Sequence, residues 1–143
     1  MERPTDLYKL LGSLTKMLQQ ELDRYLIKLE INSSNYYFLV KLKTYGQLTQ
    51  EQLVSLTDLN ASNVTRALRK LEQRGIVQRL DNPKDKRSNL WKLTERGTEL
   101  ACEINQILVK VEKNFMASLS TADRQAFVKL SQVLYQRTLV LHK

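Results

Sequence analysis

The sequence predicts a mainly α fold with a small β component (α+β), in which a winged helix-turn-helix lies between long helices at the two ends of the chain. Three observations carry that prediction. The helix beginning after Asn60 has two unlike faces. Val64, Leu68 and Leu71 repeat at i, i+4 and i+7 as an apolar seam, whereas Ser62, Asn63, Arg66, Arg69 and Lys70 fall on the other side. Two β-prone runs follow, Ile76–Leu80 and Ser88–Leu93, joined by the loop Asp81–Arg87 with Pro83, Lys84, Asp85, Lys86 and Arg87 at its tip. Outside this block, apolar residues recur with helical period over stretches too long for one small reading head to bury.

The charge distribution points the same way. Of the net +8, residues 62–96 hold ten Lys/Arg against four Asp/Glu, a surplus of six, and the other residues hold thirteen against eleven. A cationic surplus packed into a quarter of the chain marks a binding surface for a polyanion. Nucleic acid fits better than a membrane surface, because the basic stretch lacks the large apolar face of an interfacial helix. The amino-terminal MERPTDLYKLL has no apolar core of a signal peptide, no run is long enough to span a bilayer, and Cys102 is the single cysteine. A cytoplasmic, soluble protein without a disulfide framework is expected.

The first helix is expected from Thr5 to about Leu29, with Leu7, Leu10, Leu11, Leu14, Leu18, Leu22, Tyr25, Leu26 and Leu29 as a wide stripe suited to more than one neighbour. Asn32–Asn35 is a polar break able to cap a second helix, Tyr36 to about Thr44, ended by Gly46. Thr49 with Gln52 is a capping-box pair for a third helix, Gln50–Leu56, buried through Leu53, Val54 and Leu56. Thr57–Asn60 is the tight turn into the fourth helix, which Asn60 caps and Gly75 closes. Residues 50–74 therefore have the helix-turn-helix layout. After the hairpin, Thr94 caps a helix to about Ser118, with Leu100, Ile104, Ile107, Leu108, Val111 and Phe115 along one face. Ser120 with Asp123 caps the last, Thr121 to about Leu141, with Phe127, Leu130, Val133, Leu134 and Leu141 apolar. The expected division is a helical dimerisation region, residues 1–31 and 95–143, around a DNA-binding region, residues 32–94. A two-fold homodimer would present two reading helices roughly 34–36 Å apart.

Within the reading helix, Asn63 and Arg66 suit base edges, since Asn pairs with adenine and Arg with guanine. Ser62, Thr65 and Arg69 suit phosphates, as do Lys84 and Lys86 in the loop. Arg79 and Lys92 read as structural or steering charges, Trp91 as a wing residue packed on the core, and Tyr36, Tyr37 and Phe38 as core.

Asp85-Lys86-Arg87 followed by Leu93-Thr94-Glu95-Arg96-Gly97, with the stretch Leu59–Val77, resembles the wing motif and recognition helix of the MarR family of bacterial transcriptional regulators. The resemblance covers nearly the whole chain in element order and length. It implies a homodimeric repressor, less often an activator, of a short inverted repeat in double-stranded DNA near its own gene, released by a small molecule or an oxidant. It also implies that Arg87 enters the minor groove with its guanidinium held by Asp85, and that an effector sits near the second helix. An arginine in a narrow minor groove gains from the enhanced negative potential there.

Other classes find less footing. Family members that sense oxidants through a single cysteine usually carry it in the first helix. Cys102 lies elsewhere, between Glu99 and Glu103, and reads as a buried small hydrophobe. His142 is the single histidine, so neither a metal centre nor a general base is expected, and with no Gly-rich phosphate loop or nucleophile elbow the protein is not expected to be an enzyme or to need a cofactor. The alternative function is sequence-indifferent nucleic-acid binding of an architectural kind; a third is a winged helix that binds only protein.

Overall fold

The computed structural model describes residues 5–141, with side chains as far as Thr138. Leu141 of the predicted last stripe lies beyond the described side chains, and His142 outside the described residues. The elements are α1 (Leu7–Leu26), α2 (Tyr36–Tyr45), β1 (Gln47–Thr49), α3 (Gln50–Thr57), α4 (Ala61–Gln73), β2 (Val77–Asp81), β3 (Asn89–Leu93), α5 (Glu95–Phe115) and α6 (Thr121–Leu141). This is the predicted mainly α winged helix-turn-helix. It forms two compact units, one running to Val109 and one starting at Lys110.

In the first unit the seam of α4 is buried as expected, with Val64 and Leu68 fully enclosed and Leu71 nearly so. They share the core with Leu26, Phe38, Leu39, Leu42, Leu53, Ile76, Ala101 and Ile104. Trp91 is buried too, in keeping with a wing packed on the core. Tyr36 and Tyr37 are half-buried and meet edge to face with ring centroids 5.8 Å apart, and Lys41 Nζ lies 4.8 Å from the Tyr37 centroid.

The structure departs from the expectations at several points, among them the end of α5, which stops at Phe115 rather than at about Ser118. The α-helical part of α1 ends at Leu26, and residues Ile27–Leu29 tighten into a 3₁₀ turn closed by Glu30 at φ 56°. The Ile31 amide then donates to the Leu26 carbonyl, so the last turn is satisfied without further helix. Strand β1 is an addition to the expected elements. It pairs antiparallel with β3, giving the order β1-β3-β2 with β3 central. In α3 only Leu53 is fully enclosed, Val54 and Leu56 being half-buried. Cys102 is exposed rather than buried, because the face of α5 turned to the core is the one carrying Ala101 and Ile104. Lys43 Nζ lies 3.1 Å from its Sγ.

The motif Leu93-Thr94-Glu95-Arg96-Gly97 has a local reason. Thr94 Oγ1 accepts from the Gly97 amide at 3.0 Å, capping α5, and its proton is shared between the carbonyls of Gly75 and Ile76. The Thr94 amide also donates to the Ile76 carbonyl. Gly97 is thereby pressed against that carbonyl, and a Cβ built there would sit 2.0 Å from the Ile76 oxygen. The end of α4, the end of β3 and the start of α5 meet at one point that tolerates no side chain.

The second unit contains the end of α5 and α6. Phe115 and Phe127 lie 6.4 Å apart, and Arg124 closes the turn between them by donating to the carbonyls of Leu119 and Ala117. Phe127, Val128, Leu130, Val133, Leu134 and Tyr135 are exposed, Leu134 by 65%. Helix α1 is similarly bare over its first half, with Leu7, Leu10 and Leu11 exposed by 58, 54 and 48%.

Candidate nucleic-acid interface

The site is assembled from α3, α4 and the β2–β3 hairpin. Thr49 and Gln52 form both halves of the predicted capping box, at 2.8 and 3.1 Å. Asp58 at φ 58° turns the chain, and Asn60 Oδ1 then accepts from the Asn63 amide at 2.8 Å to start α4. At the far end the Gly75 amide donates to the Glu72 carbonyl and the Ile76 amide to the Leu71 carbonyl, with Gly75 at φ 71°. This is a Schellman closure, and Leu71 and Ile76, both buried, are its apolar pair. Both ends of α4 are therefore set by local chemistry, and its seam sets its rotation. Ser62, Asn63, Arg66, Arg69 and Lys70 are left facing outward, all exposed.

The hairpin tip is ordered by its own side chains. Asn82 Oδ1 accepts from the Lys84 amide at 3.0 Å, and Asp85 Oδ1 accepts from the Arg87 amide at 2.9 Å. Asp85 thus holds Arg87 through the main chain; among the described residues no carboxylate pairs with the Arg87 guanidinium. Lys84, Asp85, Lys86 and Arg87 are all exposed. The hairpin is tied to α4 by Arg79, whose guanidinium donates to both carboxylate oxygens of Glu72 and lies 5.5 Å from the Trp91 ring centroid. Arg79 is therefore structural; Lys92 is half-buried on the central strand.

The arginines sort into two kinds. In the first unit Arg24 pairs with Glu21, Arg79 with Glu72, Arg74 with the carbonyls of Leu29 and Glu30, and Arg96 with the carbonyl of Arg74. The guanidinium groups of Arg66, Arg69 and Arg87, by contrast, make no hydrogen bond or ion pair among the described residues. Among the described residues of the first unit, the scaffold arginines are engaged, whereas the guanidinium groups on α4 and at the hairpin tip are unspent. An unpaired, solvated guanidinium adds nothing to folding and is available to a phosphate or a guanine edge.

Two clefts border α4, one at its first residue and one along its outer face. One, of about 410 Å³, is lined by Gln50, Glu51, Val54, Ala61, Arg87, Ser88, Asn89 and Trp91, and brings Arg87 to the first turn of α4. The other, of about 270 Å³, is lined by Asn32, Ser34, Asn35, Leu59, Asn63, Arg66, Ala67 and Lys70. Asn63 and Arg66 lie in the second cleft and Arg87 in the first. Thr65 is placed differently from what its role as a phosphate donor requires. Its hydroxyl donates to the Ala61 carbonyl at 2.9 Å and accepts from Gln50 Nε2, so its proton is already committed. Gln50, which the sequence does not single out, joins the candidate site through this bond; the available signal is its place as the first residue of α3, where the side chain meets the helix that follows.

Among the described residues no cluster of three or more His, Cys, Asp or Glu could hold a metal ion, and no described helix is long and apolar enough to cross a membrane.

Known proteins share this fold. The family model described as the MarR family matches residues 31–88. The uncharacterized HTH-type transcriptional regulator YwoH of Bacillus subtilis is 34% identical over 105 residues, spanning 73% of this chain and 76% of that protein. The multiple antibiotic resistance protein MarR of Escherichia coli is 31% identical over 120 residues, spanning 81% and 83%. Among solved structures, a single-site mutant of E. coli MarR complexed with operator DNA superposes with a TM-score of 0.81 at 26% identity, covering 91% of this chain and 94% of that one. A MarR transcriptional regulator from Methanosarcina mazei, at 22% identity, shares the fold with a TM-score of 0.88, covering 96% and 99%. The chain belongs to the MarR family of transcriptional regulators.

Proposed function

We propose that the protein is a homodimeric repressor that binds a pseudo-palindromic operator in double-stranded DNA and is released by a small-molecule or oxidative signal. It works in the cytoplasm and performs no catalysis. The observation that carries the reading is the set of unspent arginines: among the described residues the guanidinium groups of Arg66, Arg69 and Arg87 have no hydrogen-bond or ion-pair partner, while those of Arg24, Arg74, Arg79 and Arg96 are consumed by the scaffold. In this reading α4 enters the major groove with Asn63 and Arg66 at base edges. Ser62 and Arg69 hold phosphates, and Thr65 acts by fixing Gln50. Lys84 and Lys86 steer the hairpin along the backbone, and Arg87 enters the minor groove from a tip held by Asp85. The E. coli MarR neighbour complexed with operator DNA supports DNA binding by this fold.

Residues 1–31 and 95–143 are proposed as the dimerisation region and residues 32–94 as the reading head. The support is the bare apolar surface of α1 and α6, where Leu7, Leu10, Leu130 and Leu134 are each more than half exposed. An exposed stripe of that extent is costly in a monomer and is covered by a second copy.

The test is an anisotropy titration with the duplex upstream of the gene against a scrambled duplex across a salt series. The reading requires a preference of about 10³ or more at moderate salt and one dimer per site. Equal, steeply salt-dependent binding to both duplexes would replace it with sequence-indifferent, architectural binding. Within the same assay Arg87→Ala should weaken operator binding by roughly 1–3 kcal/mol per hairpin and leave the melting temperature unchanged, since the side chain has no partner among the described residues. Unaltered affinity would remove the hairpin from the contact surface.

A further inference from the structure

Resting on the dimeric DNA-binding reading above, we propose that Arg74 is the positioning residue that sets the half-site spacing the dimer accepts. Arg74 is the residue on which α4 ends, yet its side chain serves another helix. Nη1 donates to the Glu30 carbonyl at 2.6 Å and Nη2 to the Leu29 carbonyl at 3.0 Å. These are two successive carbonyls, 44 and 45 residues back in the chain, at the closing turn of the first helix. That turn is the negative end of a helix, where carbonyls lack intrahelical donors, so a planar cation with two parallel N–H groups fits it in one orientation. The backbone of Arg74 is braced in turn, because Arg96 Nη1 at the start of α5 donates to its carbonyl at 3.1 Å. The Glu30 carboxylate, 3.7 Å from Nη2 and 83% exposed, adds little.

The consequence is geometric. Apolar burial of Leu26 and Ile31 against the core holds α1 to the head but is not directional. The two hydrogen bonds of Arg74 are directional. They fix the angle between α1, the proposed dimerisation helix, and α4, the proposed reading helix. In a two-fold dimer that angle, doubled by symmetry, decides how far apart the two α4 helices stand. A stiff joint makes the second head's engagement depend sharply on operator spacing, and a loose joint lets it reach several spacings.

The experiment uses the full chain and an inverted-repeat duplex selected by the wild-type protein from a random-sequence pool. Binding is measured to this duplex, to versions with one base pair added to or removed from the spacer, and to a single half-site. Each added base pair moves the half-site by about 3.4 Å and rotates it by about 35°. Wild type should lose about 30-fold or more on either change, and Arg74→Gln less than about 5-fold, with half-site affinities within about 2-fold of each other. Arg96→Gln, which removes only the brace, should give an intermediate profile. The half-site affinity shows whether the head is folded; if Arg74→Gln has lost it, Arg74→Lys and Arg96→Gln carry the test. A folded variant whose spacing profile coincides with that of wild type overturns the proposal, as does loss of folding in all three, which would make the joint purely a stability element. A wild-type protein that selects no inverted repeat would instead overturn the parent reading, and this inference with it.

Discussion

Gly97→Ala is expected to lower the melting temperature of the protein by roughly 10 °C. Two effects compete. Alanine is the better residue inside a helix and contributes about 1 kcal/mol through propensity. Against this, the added Cβ would lie 2.0 Å from the Ile76 carbonyl oxygen and 3.3 Å from a methyl of Leu93. The first neighbour is backbone, so it cannot rotate away. That carbonyl also accepts from the Thr94 amide and hydroxyl, so moving it breaks the joint linking α4, β3 and α5. Overpacking of this kind costs about 3 kcal/mol or more, which outweighs the propensity gain. Thermal melting followed by far-UV circular dichroism checks it. A melting temperature equal to or above that of wild type would mean that α5 does not approach the Ile76 carbonyl this closely.

Arg66→Ala should act in the opposite sense, sparing stability and striking recognition. Arg66 is exposed and its guanidinium makes no hydrogen bond or ion pair among the described residues, so the melting temperature should stay within about 1 °C of wild type. A bidentate arginine–guanine contact carries about 1–3 kcal/mol of discrimination, and a two-fold complex contains it twice, so the operator should be bound more weakly by about 2–6 kcal/mol. The variant should also lose its preference at the guanine concerned, while retaining the wild-type salt dependence apart from one charge per head. Arg69→Ala, at a position proposed to hold phosphate, should do the reverse: lower the salt slope by about one unit per head and leave the base preference intact. Loss of affinity in Arg66→Ala that is the same for operator and scrambled duplex would move Arg66 to the phosphate class.

How much of this is legible in the residues differs by element. Helix α4 is fully so, because its signals are local: a 3.6-residue apolar period, an asparagine cap and a glycine closing turn lie within a single window of the chain. The hairpin is legible for the same reason, its tip being marked by turn residues and its strands by alternation. Strand β1 is not. Three residues are too few to show a period of two, and its partner Trp91 is distant in sequence from Leu48. Cys102 defeats a sequence reading because composition states only that cysteine tends to be buried. Which side of α5 turns inward is decided by what Ala101 and Ile104 pack against. Leu53, Val54 and Leu56 are equally apolar in sequence, and only the fold separates the enclosed residue from its half-buried neighbours.

The candidate site divides along the same line. Residue type and short-range spacing suffice for the fold class, the two faces of α4, the basic hairpin tip and the concentration of charge. Which cations are free is settled by the folded chain. Arg66 and Arg74 look alike in sequence, yet Arg74 is spent on carbonyls 44 and 45 residues away while Arg66 is left in solvent. Folding likewise commits the Thr65 hydroxyl to Gln50 and Ala61, and places Gly97 against Ile76. Periodicity and capping are properties of neighbours along the chain and can be read there. Whether a polar group is satisfied depends on partners brought together by burial of the core, and that information exists only once the chain has closed on itself.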